Sequence, residues 1–263
     1  MGKIGERFKA ILSQKKRAFI PFFTAFYPSK ELFKEFLIKA DEAGADFIEI
    51  GVPFSDPLAD GKMIQYSSQR VLEENFSFPQ LLEEIAGIKE NVKASLILMS
   101  YYNPILQQGI ANFGEELKLA KIDGVIVPDL PLEESFPLKK VLTSHNIDLI
   151  YLIAPTSTLP RINKISQHSQ GFIYLVSLTG VTGMREKLPE NLVAYVNRVR
   201  KITSKSLCVG FGISNPYQAM KVAELADGVI VGSAIINLIK GREEEKNVAT
   251  ELENFLRELR RAI

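Results

Sequence analysis

The chain has 263 residues, enough for one large core, and its charges nearly cancel: Lys+Arg 32 against Asp+Glu 31, a formal net charge of +1. That balance, with only short runs of like charge, gives a nucleic-acid or membrane-surface partner nothing to hold. Ala94 to Gly114 is uncharged but broken by Asn103, Pro104, Gln107 and Gln108, so it does not read as a membrane span, and the single cysteine, Cys208, can form no intrachain disulfide.

The N-terminus MGKIGERFKAIL is positively charged but lacks the long apolar run of a signal peptide. A cytoplasmic protein is expected. After this short amphipathic lead-in, AFIPFFTAF (Ala18 to Phe26) reads as the first strand. Ser29 can then cap a helix whose Leu32, Phe33, Phe36, Leu37 and Ala40 recur at helical spacing. The same alternation repeats. DFIEIG is followed by helical segments from about Ile64 to Ile88, SLILMSYY by Asn112 to Ala120, and DGVIVPD by Leu132 to Leu142. DLIYLIAP leads to a short helix near Arg161, GFIYLVSL to Pro189 to Arg200, SLCVGFG to Pro216 to Leu225, and DGVIVGSA to a helical tail.

These strands are short, almost wholly apolar runs of the kind buried on both faces in a parallel sheet. The pattern predicts an α/β protein, a (β/α)8 TIM barrel forming a single domain over residues 1–263 with additional N- and C-terminal helices. An open doubly wound sheet competes, but its Gly-x-Gly-x-x-Gly turn after the first strand is absent. In the tail, Asn247 to Ile263, Val248, Leu252, Phe255 and Leu259 share one stripe that can pack on the outside of the barrel.

The most informative stretch is DFIEIGVPFSDPLADG, Asp46 to Gly61, where an apolar strand carries Glu49 and the following loop carries Asp56 and Asp60. By strand parity Phe47, Glu49 and Gly51 point one way, Ile48 and Ile50 the other. A carboxylate among core positions costs several kcal/mol unless it is paired, hydrogen-bonded or used. Glu49 has no obvious Arg or Lys partner on any strand, and it lies at a strand's C-terminal end, where barrels of this type place their active sites. A structural hydrogen-bonding role is the alternative.

Glycines give a second signal. Gly180 to Gly183 follow strand six, Gly210 to Ser214 end strand seven, and Gly232-Ser233 end strand eight. Backbone N–H groups in the last two loops form the recurrent phosphate site of this fold. Asn215-Pro216 is a good helix start, and Ser233 can add a hydroxyl. Two histidines, His145 and His168, make no zinc cluster, and the strand cores contain no lysine for a Schiff base. The expectation is metal: none, with carboxylates performing acid–base work on a small phosphate ester.

These motifs resemble the tryptophan synthase alpha-subunit family. FIEIGVPFSDPLADG carries the likeness most specifically, and it continues through PFFTAFYP, LMSYYNP, VPDLPLEES, YLVSLTGVTG, VGFGIS and VGSAI in order. The resemblance implies retro-aldol cleavage of indole-3-glycerol phosphate, with indole passed to a beta subunit that alone carries pyridoxal phosphate, in an alpha2beta2 complex; this chain would need no cofactor. It implies Glu49 as the acid–base group and Asp60 as the partner of the indole N–H. Phe22 and Tyr174 would line the indole pocket, though either could be a plain core aromatic. Thr182 and Gly183 would belong to a closing loop, and Gly212, Gly232 and Ser233 would bind phosphate. Pro53, Asp56, Asn103 and Pro131 would face the partner, or else shape turns. Leu178 departs from the family, some relatives carrying Arg there. Two other readings share these residues: a stand-alone lyase releasing indole, and a slow barrel that mainly activates its partner.

Overall fold

The computed structural model describes residues 2–176, 191–210 and 212–263. The elements follow in the order α1 (Lys3–Ser13), β1 (Ala18–Thr24), α2 (Lys30–Glu42), β2 (Phe47–Gly51), α3 (Lys62–Leu72), α4 (Phe78–Ile88), β3 (Ser95–Met99), α5 (Tyr102–Gln108), α6 (Ile110–Leu119) and β4 (Gly124–Ile126). The second half contains α7 (Phe136–Ser144), β5 (Asp148–Ile153), α8 (Leu159–His168), β6 (Ile173–Val176), α9 (Leu192–Arg200), β7 (Leu207–Gly210), α10 (Pro216–Ala223), β8 (Gly228–Val231), α11 (Ser233–Ile239) and α12 (Val248–Arg261). Each strand pairs in parallel with the next, and β1 pairs with β8, so the sheet closes into the expected barrel.

Strand parity sorts the apolar residues into two layers. Ala18, Ile20, Phe47, Ile97, Ile126, Ile150, Cys208 and Ile230 pack together inside the barrel. Their neighbours in sequence, among them Phe19, Phe23, Ile48, Ile50, Leu96 and Leu98, pack outward with helix residues such as Phe33, Phe36 and Leu37. Ser29 caps α2 as expected, its Oγ accepting the Leu32 N–H at 3.2 Å.

The lead-in has a larger part than its sequence announced. In α1, Ile4, Phe8 and Ile11 join the interior cluster, so this helix closes the N-terminal end of the barrel. The Phe8 ring stacks on Phe47 at 4.7 Å and tilts against Phe172 at 5.5 Å. At the other end of the chain, α12 packs on α2 with Val248, Leu252, Leu256 and Leu259 fully buried and Phe255 partly buried.

Several helix boundaries differ from the sequence reading. The helix expected over Asn112 to Ala120 is α6, and a further helix, α5, precedes it, the chain turning between the two at Gly109, φ +76. Near Ile64 to Ile88, α3 and α4 are separated at Asn75, φ +58. The helix expected from Leu132 begins at Phe136, since residues 131–135 form turns in which the buried Ser135 hydroxyl donates to the Leu132 carbonyl at 2.6 Å. The first strand ends at Thr24, two residues early, with Phe26 at φ +62.

Candidate active site

Glu49 sits in the middle of β2 with its side chain inside the barrel, one pleat above Phe47, and only 1% of its surface is exposed. Among the described residues neither carboxylate oxygen has a hydrogen-bond partner. Burial therefore pushes its pKa up to about 8, with the charge of Asp60 adding to the rise. At neutral pH Glu49 is a carboxylic acid with a proton to give.

Asp60 reaches the same region from the loop between β2 and α3. Its N–H donates to the Pro57 carbonyl at 3.0 Å, and its own carbonyl accepts from Gln65 Nε2 at 2.9 Å. The surrounding protein raises its pKa to about 6, and the Tyr101 hydroxyl pulls the other way. Near pH 7 this group is mostly ionised. Two carboxyl groups with pKa values separated by their surroundings are the usual physical basis for giving one acid and one anion to the same site.

Tyr101 was not singled out from the sequence, although it lies in the LMSYYNP stretch. It continues the inward parity of Ile97 and Met99 just beyond the end of β3. Its hydroxyl accepts the Ala59 N–H at 2.9 Å, and its ring stacks on Phe54 at 4.9 Å, so one side chain braces the whole loop that carries Asp60. That parity was the available signal. A cleft at this mouth is lined by Phe22, Gly51, Asp60, Ile64, Met99 and Tyr101.

Phe22 stands beside Glu49 in the β1–β2 register. Its inward position follows Ala18 and Ile20 along β1, so it forms part of the cleft rather than the outer core. Tyr174 enters from β6. Its hydroxyl lies so close to Gly210 that a Cβ there would come within 2.5 Å. Burial first, then the charges of Glu49 and Asp60, hold that phenol well above its ordinary pKa, so it stays neutral as a donor.

Gly212, Gly232 and Ser233 fall at the ends of the paired strands β7 and β8. Gly212 has φ +52 with open space where a side chain would stand, a backbone that exposes N–H groups and favours glycine. Asn215 caps α10 as expected, accepting the Gln218 N–H at 2.9 Å. Thr182 and Gly183, together with Leu178, lie outside the described residues.

Of the residues expected to face a partner, Asp56, Asn103 and Pro131 are exposed in the loops or first helical turns after β2, β3 and β4. Pro53 is buried, so in this chain it shapes the loop and offers little surface. His145 and His168 lie at the ends of α7 and α8, away from the mouth, and the described residues contain no group of three metal-ligating side chains. Nor is any described helix long and apolar enough to cross a membrane.

A closed parallel barrel with one perturbed carboxyl group inside β2 and a second on the loop that follows it has the form of a TIM-barrel enzyme. The family model described as tryptophan synthase alpha chain matches residues 8–263. The chain is 45% identical to the tryptophan synthase alpha chain of Synechococcus elongatus, covering 100% of this chain and 97% of that one. It is also 45% identical to that of Chloroflexus aggregans, over 91% and 90% of the two chains. Among solved structures, it superposes on a chain of Mycobacterium tuberculosis tryptophan synthase with a TM-score of 0.91 at 30% identity, covering 100% and 98%. The alpha subunit of Legionella pneumophila gives a TM-score of 0.90 at 36% identity, over 100% and 98%. The chain belongs to the tryptophan synthase alpha chain family, lyases of tryptophan biosynthesis.

Proposed function

We propose that this chain cleaves indole-3-glycerol phosphate to indole and glyceraldehyde 3-phosphate, with Glu49 and Asp60 dividing the proton work. The observation that carries this reading is the pair itself: a buried neutral acid on β2 and, close enough for its charge to act on the first, a largely ionised one that lines the cleft. Glu49 protonates C3 of the indole, which turns the ring into an electron sink. Asp60 accepts a hydrogen bond from the ring N–H and stabilises the positive charge that develops there. The new Glu49 carboxylate then takes the proton from the hydroxyl on the carbon attached to C3. The carbon–carbon bond breaks, its electrons return to the ring, and the aldehyde leaves with its phosphate. One proton enters and one leaves, so the residue is restored.

The groups around the cleft match the chemistry of this substrate. Phe22 and Met99 offer apolar surface to a flat ring, while Gly212, Gly232 and Ser233 supply N–H and hydroxyl donors for the phosphate at the strand ends where barrels commonly bind one. Thr182 and Gly183 would cover the site. No cofactor enters this scheme, because the substrate supplies its own electron sink once protonated. The exposed Asp56, Asn103 and Pro131, on loops at the same mouth, would face a beta subunit that receives the indole, within an alpha2beta2 complex.

The test is direct. The purified chain is incubated with indole-3-glycerol phosphate, alone and with a tryptophan synthase beta subunit, and both products are assayed. Cleavage that rises with the beta subunit supports the reading; no cleavage in either case overturns it. A fast reaction indifferent to the beta subunit would instead identify a lyase that releases free indole.

A further inference from the structure

Helix α3 begins immediately after Asp60, so wherever its first turn sits, the rim carboxylate sits too. That turn has no side-chain cap, although Gln65 ties it back to the Asp60 carbonyl at 2.9 Å. Its N-cap is Gly61, which has no side chain to satisfy the exposed N–H groups, and the capping hydrogen bond found at Ser29, Ser77 and Thr158 is absent. Beyond Gln65 and the Tyr101 brace, its position is set from the side.

Two lateral tethers do this. On the inner side, the Ser67 hydroxyl lies 2.6 Å from that of Thr24 on β1, both fully buried. On the outer side, Tyr66 presents its ring to the Lys240 ammonium, 4.1 Å from the ring centroid, the closest cation–ring approach among the described residues. Lys240 is the residue that ends α11, the helix that starts at Ser233 and packs on α3. Tyr27 completes the contact, its ring meeting Tyr66 edge-on at 6.2 Å and its hydroxyl donating to Glu243 at 3.0 Å. None of these four residues lines the cleft.

We infer that Tyr66 and Lys240, braced by Tyr27 and Glu243, are positioning residues for Asp60: the clasp holds α3 against α11 and so fixes the rim acid over the cleft. The catalytic half of this statement rests on the role proposed for Asp60, while the mechanical half does not. An exposed cation–ring contact of this kind, if lost, corresponds to about a two- to fivefold change in the opening equilibrium of the segment it holds.

The experiment compares the full chain with Lys240→Met, Tyr66→Leu, the double variant, and Lys240→Arg, which keeps a cation over the ring. Amide hydrogen exchange over residues 59–66 is read without substrate, and kcat and KM are read with indole-3-glycerol phosphate. Lys240→Met is expected to speed exchange there by about two- to fivefold and to lower kcat more than it alters KM. Tyr66→Leu should do the same, the double variant should be no worse than either single one, and Lys240→Arg should restore both readings. Unchanged exchange in Lys240→Met overturns the clasp, as does a failure of Lys240→Arg to restore it. Altered exchange with unchanged kcat overturns the link to Asp60. A parent chain that does not cleave the substrate overturns the proposed function instead, and the exchange result still decides the clasp.

Discussion

Phe22 lies across Gly51, close enough that a Cβ at position 51 would come within 2.4 Å of the ring's far edge. The two residues belong to adjacent strands, and each is one step from Glu49: Phe22 by register, Gly51 by pleat. A glycine there leaves the aromatic wall of the cleft free to lie flat over the mouth. Gly51→Ala should force the ring aside at a cost of about 1–3 kcal/mol, with kcat/KM falling at least about tenfold. Thermal unfolding and kinetics on Gly51→Ala and Gly51→Ala/Phe22→Leu check this, and the second variant should regain stability without regaining activity. A Gly51→Ala chain that melts and turns over like its parent would remove Phe22 from the site.

Glu49 is held neutral by burial, so its removal should stabilise the fold at alkaline pH. Its pKa rises from 4.5 in the unfolded chain to about 8 in the folded one. Below pH 4.5 the group is protonated in both states and has no effect. Between 4.5 and 8 the unfolded chain releases a proton that the folded chain retains, so stability falls as pH rises, by up to several kcal/mol at about 1.4 kcal/mol per unit. Glu49→Gln should therefore match the parent in urea denaturation near pH 4.5 and exceed it near pH 8.5, while lowering turnover by about two or more powers of ten. Equal stability at both pH values would show that the carboxyl group is not desolvated.

The pH dependence of kcat/KM should be bell-shaped, falling below about pH 6 as Asp60 gains a proton and above about pH 8 as Glu49 loses one. In Asp60→Asn the acid limb assigned to this carboxylate should disappear along with much of the rate. An unchanged acid limb in that variant would assign it to another group.

Tyr101 pulls the pKa of Asp60 downward while bracing the loop through the Ala59 N–H. Tyr101→Phe should shift the acid limb toward higher pH, because the influence opposing desolvation is gone. The lost hydrogen bond alone is worth about 0.5–1.5 kcal/mol, so a rate loss of a few-fold to about tenfold is expected. An acid limb that moves to lower pH would contradict this account.

Much of this arrangement was legible in the chain itself. Short apolar runs such as Phe47 to Gly51 and Ser95 to Met99 were enough to assign the strands, and strand parity to turn Glu49 inward. Ser29 and Asn215 marked helix starts because their side chains bond locally. Less was visible wherever the deciding contact was distant in sequence. The inward role of α1 depends on Phe47 and Phe172, and the late start of α7 on Ser135, whose hydroxyl lies 2.6 Å from that of Tyr151. Tyr101 escaped because its loop partner, Ala59, is contributed by another unit. Pro53 reads as surface from its loop context, and only the packed chain shows it buried.

Phe8 is 1% exposed beneath the carboxyl-bearing layer, stacked on Phe47. Phe8→Ala should cost about 3–5 kcal/mol, the usual range for deleting a buried aromatic ring, and a thermal melt would show it. At low temperature, where the barrel stays closed, turnover should change by no more than a few-fold, since the ring touches none of the proposed reacting groups. A large rate loss in a well-folded variant would mean that the floor positions Glu49.

The helix that closes the bottom of the barrel also bears on how the molecule is made. Its residues are synthesised well before their partners, since Phe8 rests on Phe172, far later in the sequence, and β1 completes its pairing only with β8. A nascent chain therefore carries Ile4, Phe8 and Ile11 without their resting place through most of translation. Contacts so far apart in sequence slow productive closure, and during that interval the apolar face of α1 is the kind of exposed surface that chaperones bind.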